Sequence, residues 1–120
     1  MRKIILLILT MLLIEKVDAK HFNSENYYQT KWCKQNNGIT EYILPDKARI
    51  DCLTKEYAIE FDFATKWAEA IGQSMYYANV MNKKPAIALI VKSKKDNKYV
   101  KRIKKANKNI KIILIDELKY

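Results

Sequence analysis

Between Ala48 and Trp67 the chain reads ARIDCLTKEYAIEFDFATKW, two runs that alternate polar and apolar residues on either side of a short polar break. A period of two is that of an extended strand, so the stretch is constrained to a hairpin. Arg49, Asp51 and Leu53 alternate against Ile50 and Cys52, while Ala58, Glu60 and Asp62 alternate against Tyr57, Ile59, Phe61 and Phe63. A two-residue turn at Thr54-Lys55 sets Asp51 opposite Ala58 and diagonal to Glu60. Shifting the turn by one step at each strand end keeps Asp51, Glu60 and Asp62 on a common face. Carboxylates so placed repel one another unless they face water or share a cation.

The rest of the chain builds around this hairpin. NSENYYQTKWCKQNN, Asn23 to Asn37, begins with capping residues and puts Tyr27, Tyr28, Trp32 and Cys33 on one helical face before Gly38 stops it. ITEYIL, Ile39 to Leu44, reads as a strand closed by the Pro45-Asp46 turn. From Thr65, a suitable N-cap, to about Asn82 the period becomes helical. Trp67, Ile71, Ser74, Met75, Ala78 and Met81 are expected to pack on the sheet, with Lys66, Ala70, Gln73 and Tyr77 forming a second stripe. AIALIV, Ala86 to Val91, is an apolar run suited to a strand covered on both faces, and IKIILID, Ile110 to Asp116, is expected to be another buried strand. Between them a short helix is expected to bury Tyr99, Val100, Ile103 and Ala106. The predicted fold is an α/β (α+β) domain in the order α, three β, α, β, α, β.

The N-terminus, MRKIILLILTMLLIEKVDA, has Arg2 and Lys3 before an apolar run from Ile4 to Ile14 and a small-residue exit at Ala19. It reads as a secretory signal peptide over residues 1–19, with an uncleaved anchor as the alternative. Residues 20–120 are then a single exported domain, periplasmic or extracellular, with no stable membrane insertion after cleavage, since no later run approaches the roughly 20 apolar residues of a membrane span. Cleavage lowers the formal charge of +10 by one. Such a surplus favours polyanionic partners. Cys33 and Cys52, both in the exported part, could join as a disulfide or stay as two buried thiols. The single histidine, His21, excludes Ser-His-Asp hydrolysis and His-rich zinc sites, leaving carboxylates and lysine for any catalysis.

Diagonal neighbours across a hairpin lie about 7 to 8 Å apart, close enough for two acid side chains to converge on one ion. Magnesium and manganese are held by few carboxylates together with water and phosphate oxygens. An amphipathic hairpin wetting its charged face is the plainer alternative. Asp51, then Glu60-Phe61-Asp62, then Gln73-Ser74-Met75-Tyr76-Tyr77 on the following helix, in this order of elements, resembles the PD-(D/E)xK nuclease superfamily. The similarity is to its RecB-like, Holliday-junction-resolvase-like branch, and covers roughly Gly38 to Val91.

That resemblance implies a restriction-endonuclease-like αβββαβ core with a mixed central sheet flanked by helices, and a nuclease acting on DNA with Mg2+ or Mn2+. It makes Asp51 and Glu60 metal ligands and Gln73 and Tyr77 substrate-binding residues. The family's lysine, two residues after the Glu, is here Asp62. Lys66 is the nearest replacement; otherwise Asp62 is a further ligand, or the enzyme is inactive. An additional acid comes from Glu41, preferred, or from Glu25. The literal Pro45-Asp46 pair sits in a turn and is set aside.

From Lys92 to Lys111 the chain has ten basic residues and one acid, Asp96. This is either a phosphate-tracking surface or a solvated helix face. Three readings follow: an exported metal-dependent nuclease, a non-catalytic basic module binding nucleic acid, and, more remotely, a membrane-active cationic protein.

Overall fold

The computed structural model describes residues 21–120, so the expected signal peptide lies outside the described residues. A five-stranded mixed sheet, in the order β1-β2-β3-β4-β5, carries three helices. In chain order these are α1 (Glu25–Gln35), β1 (Ile39–Ile43), β2 (Arg49–Leu53), β3 (Tyr57–Phe63), α2 (Trp67–Met81), β4 (Lys84–Val91), α3 (Asn97–Ala106) and β5 (Lys111–Asp116). β1, β2 and β3 form the expected antiparallel meander, and β4 and β5 run parallel to β3. No described helix is long and apolar enough to cross a membrane.

Alternation along β3 and β4 divides the core between the two faces of the sheet. Ile59 and Phe61 meet Tyr28 and Cys33 of α1 together with Ala86, Ala88 and Ile90. On the opposite face Ile87 and Leu89 meet Ala70 of α2 and Ile103 of α3, and Ala58 meets Tyr77 and Ala78. Each of the larger apolar side chains contributes roughly 1.5 to 3 kcal/mol by leaving water. β4 is buried from Ala86 to Ile90, as its unbroken apolar run implies. β5 differs from expectation. It is the edge strand, so Leu114 is exposed and Ile112 and Ile113 are half-buried.

The helix faces also shift. Ser24, one of the expected capping residues, caps α1 by accepting from the Tyr27 amide, and the buried residues are Tyr28, Gln29 and Cys33 while Tyr27 faces out. On α2 the buried line is Ala70, Ser74, Tyr77 and Ala78, which merges the two stripes expected separately. Met75 and Gln73 are exposed. Thr65 caps nothing, because Ala64–Lys66 is a 3₁₀ turn that precedes the helix. α2 ends on Asn82 in the left-handed region, where the Lys83 amide turns back to the Ala78 carbonyl. In α3, Ile103 is fully buried, Tyr99 and Val100 partly, and Ala106 not at all.

Cys33 and Cys52 are joined, with Cα atoms 5.8 Å apart, and tie α1 to β2. Closing a loop of sequence separation 19 constrains the unfolded chain by about 3 kcal/mol. Gly38 lies against this bridge. A Cβ built there falls 2.5 Å from both sulfurs, closer than van der Waals contact permits. Gly38→Ala is therefore expected to cost about 1 to 3 kcal/mol of stability in urea unfolding, or to open the bridge. Unchanged stability with the bridge intact would contradict that packing.

Candidate active site

The hairpin register decides which acids meet. Cys52 pairs with Ile59 and Leu53 with Ala58, and the Thr54 amide donates to the Tyr57 carbonyl at 2.9 Å, so the turn is Lys55-Glu56. The expected turn at Thr54-Lys55 is displaced by one residue on each strand. Asp51 consequently aligns with Glu60 instead of Ala58, on the same face as foreseen. Thr54 makes the later turn favourable, because its hydroxyl accepts from the Tyr57 amide at 3.0 Å.

Regular pairing stops at Asp51. The β1–β2 ladder runs through Thr40–Cys52 and Tyr42–Ile50 but leaves out Glu41 and Asp51, and Glu41 takes a left-handed φ of 54°. A non-glycine residue in that region is strained, a condition that clusters at functional sites. Side chains take over the freed backbone groups. Gln29 Nε2 of α1 donates to the Asp51 carbonyl at 2.9 Å and to Glu41 Oε1 at 3.0 Å, and the Phe61 amide donates to Asp51 Oδ2 at 2.8 Å. The strict alternation of β2 is lost here too, since Ile50 and Leu53 pack in one core.

The acids are buried, which overturns the plainer alternative of a wetted hairpin face. Glu60 is 6% exposed and Asp62 4%. Burial is the largest cause raising all three carboxyls, Asp51 to about 6, Glu60 to about 10 and Asp62 to about 8. Mutual repulsion adds to it. The acids associate two by two, Asp51 with Glu60 and Asp62 with Glu25. Glu60 Oε2 and Glu25 Oε1 are buried and accept no hydrogen bond among the described residues, Glu25 Oε1 having only the Lys66 ammonium at ion-pair distance. Two ionised carboxylates cannot donate to each other, so each pair needs a shared proton or a cation.

Lys66 reaches back to this cluster. Its Nζ lies 3.5 Å from Glu25 Oε1, and the charges of Glu25 and then Asp62 raise its pKa. Lys66 stands in the 3₁₀ turn, outside the helical stripe shared with Gln73. Tyr77 does approach the cluster from α2. Burial, followed by the charges of Glu60 and Asp51, pushes its hydroxyl up to about 12. Gln73 faces solvent instead.

Both upstream acids are nearby, in different places. Glu41 is held by Gln29, lies 3.8 Å from Arg49, and acts on Asp51 through its charge. Glu25 faces Asp62 and Lys66. Gln29 is the residue that sequence reasoning missed; as a polar residue two places after Tyr27 it gave no signal except its position beside a buried aromatic. Asp46 stays outside the site, accepting from the Ala48 amide and from the Tyr76 hydroxyl in an exposed turn.

The donor set bears on a divalent ion directly. Among the described residues no three of His, Cys, Asp and Glu form a ready-made metal cage. A hard dication needs only one or two carboxylates with water and phosphate oxygens, and the unsatisfied Glu60 oxygen beside Asp51 fits that requirement. Comparisons with family models, with curated proteins and with solved structures find no match for this chain.

Proposed function

We propose that the chain is an exported, divalent-metal-dependent nuclease of the PD-(D/E)xK superfamily, with a restriction-endonuclease-like core and DNA as its substrate. The observation that carries this reading is the meeting of Asp51 and Glu60 in a buried site, one acid from each arm of the hairpin, with an oxygen that lacks a donor. The αβββαβ order with β4 parallel to β3 supports it, as does the disulfide for export.

Asp51 and Glu60 would hold Mg2+ or Mn2+, with Asp62 beside them and Glu41 as the outer acid. When bound, the ion supplies Lewis-acid polarisation of a phosphodiester and a source of hydroxide near neutral pH. The chain's own groups prepare the site. The Phe61 amide fixes the rotamer of Asp51, and Gln29 fixes the backbone beneath it. Tyr77 stays protonated at neutral pH and offers a hydroxyl donor at the rim. Lys66, an ammonium at the edge of the cluster, takes the place of the family's strand lysine and stabilises charge as it develops on phosphate oxygens. Asp62 shares its proton with Glu25, which fits a proton carrier better than a permanent ligand.

The test is plasmid digestion with magnesium or manganese, with EDTA as control and Asp51→Ala and Glu60→Ala beside the wild type. Cutting by the wild type that both substitutions abolish supports the reading. Asp62 in the lysine position favours a second one, a non-catalytic basic module on the same fold. Salt-sensitive DNA binding without cutting is its signature.

A further inference from the structure

The strongest uncommitted feature is the outer face of α3. Lys98, Lys101, Arg102 and Lys105 recur at offsets of three and four residues and share a side of the helix opposite the buried Ile103. All four are exposed, and among the described residues none of the four forms an ion pair. A solvated face of lysines alone would carry no argument. Arg102 is different because its guanidinium is placed by the fold, 5.5 Å from the Trp67 ring and 5.5 Å from the Tyr99 ring.

Aromatic contact on a guanidinium leaves its hydrogen-bonding edge free while removing much of the side-chain freedom that a phosphate contact must otherwise freeze. Its location connects it to the acid cluster. Trp67 directly follows Lys66, α3 packs on the Ala64–Lys66 turn, and Lys66 reaches Glu25 beside Asp62. Lys66 and Arg102 therefore both flank the start of α2, the first beside the acid cluster and the second on α3 against Trp67.

From this geometry we infer that Arg102, steadied by Trp67 and Tyr99, is a phosphate-gripping residue, and that the outer face of α3 holds the backbone of the nucleic acid whose cleaved phosphate enters at Lys66. This rests on the nuclease reading for the second half of the statement. The binding half stands alone. Nucleic acid is preferred over a membrane surface because the rings beside the basic face are packed beneath Arg102, the exposed Leu114 gathers with Val100, Lys104 and Lys108 on another side of α3, and a polyanionic backbone matches regularly spaced cations.

The experiment measures binding of a short DNA duplex in EDTA, where nothing is cut, by fluorescence anisotropy over a range of salt concentrations. Arg102→Gln is expected to reduce the slope of log affinity against log salt by about one unit, and the combined K98Q, K101Q, R102Q and K105Q variant by about three to four units with more than tenfold weaker binding. Arg102→Lys is expected to restore the slope without the full affinity. Tyr99→Leu is expected to weaken binding while leaving the slope unchanged. Lys34→Gln, an exposed cation on α1, is the control and is expected to change neither.

Wild-type-like binding and slope in the combined variant would overturn the proposal. So would wild-type protein that binds vesicles of anionic phospholipid or a sulfated glycan in preference to the duplex. Adding magnesium separates this claim from the catalytic one. Loss of binding in the combined variant, with no cutting by wild type, upholds the surface and removes the nuclease. Cutting with an unchanged KM in the combined variant does the reverse.

Discussion

On the proposed metal-dependent reading, Asp51→Ala and Glu60→Ala are each expected to lower the rate of DNA cutting in magnesium by at least about 10³-fold, since several kcal/mol of transition-state stabilisation would pass through the ion they would share and each 1.36 kcal/mol is tenfold. Single and double substitutions are expected to cost nearly the same, because two ligands of one ion act as a unit. Alanine at Asp51 also deprives the Phe61 amide of its acceptor, so Asp51→Asn serves as the folded control. Lys66→Ala is expected to cost about 10²-fold, with partial rescue by arginine. Full activity in Glu60→Gln, or equal activity with EDTA and magnesium, would remove the metal-dependent reading.

Without metal, the same acids are expected to make the protein less stable as pH rises from 5.5 to 7.5. The sign follows from the raised values, about 6 for Asp51, about 10 for Glu60 and about 8 for Asp62 against ordinary values of 3.8, 4.5 and 3.8. Well below these ordinary values both folded and unfolded chains carry the protons, and nothing is lost. Above them the unfolded chain ionises while the folded one keeps its protons, so stability falls until each folded pKa is passed. Each proton so retained costs about 1.4 kcal/mol per pH unit. The exposed Asp46 and Glu56, whose pKa values are lowered, are already ionised in both states across this window and add no trend.

Thermal unfolding in EDTA is expected to show a Tm lower by on the order of 10 °C or more at pH 7.5 than at pH 5.5. Glu60→Gln is expected to raise the value at pH 7.5 and flatten the profile, since a neutral amide of the same shape replaces an acid that the fold disfavours. Manganese is expected to stabilise the wild type more at pH 7.5 than at pH 5.5, because it competes with fewer protons. A Tm that is constant or rises over this range would mean that the acids are hydrated in solution.

How much of this was legible beforehand varies with the range of the interaction responsible. Strand alternation is local, so β2, β3 and the shared face of Asp51 and Glu60 could be read directly. The unbroken run at Ala86 to Val91 likewise announced a central strand. The register was displaced because Thr54 closes the turn with its own hydroxyl, a preference that any short polar break leaves ambiguous. The contributions of Gln29 and Glu25 depend on α1 crossing β2 and β3, which no spacing reveals. The face of α2 was misjudged because alanine and serine dominate its buried line, and small residues hardly register as an apolar stripe. β5 reads as buried because an edge strand and a central one look alike when both are rich in isoleucine.

The link between Cys33 and Cys52 has a consequence for when the molecule could act. It is the covalent tie between the helix bearing Glu25 and Gln29 and the strand bearing Asp51, so reduction removes one of the constraints that align the acids. A chain kept in reducing surroundings would lack that tie, and oxidation would complete it. The alignment of the acids would then be complete only where the surroundings are oxidising.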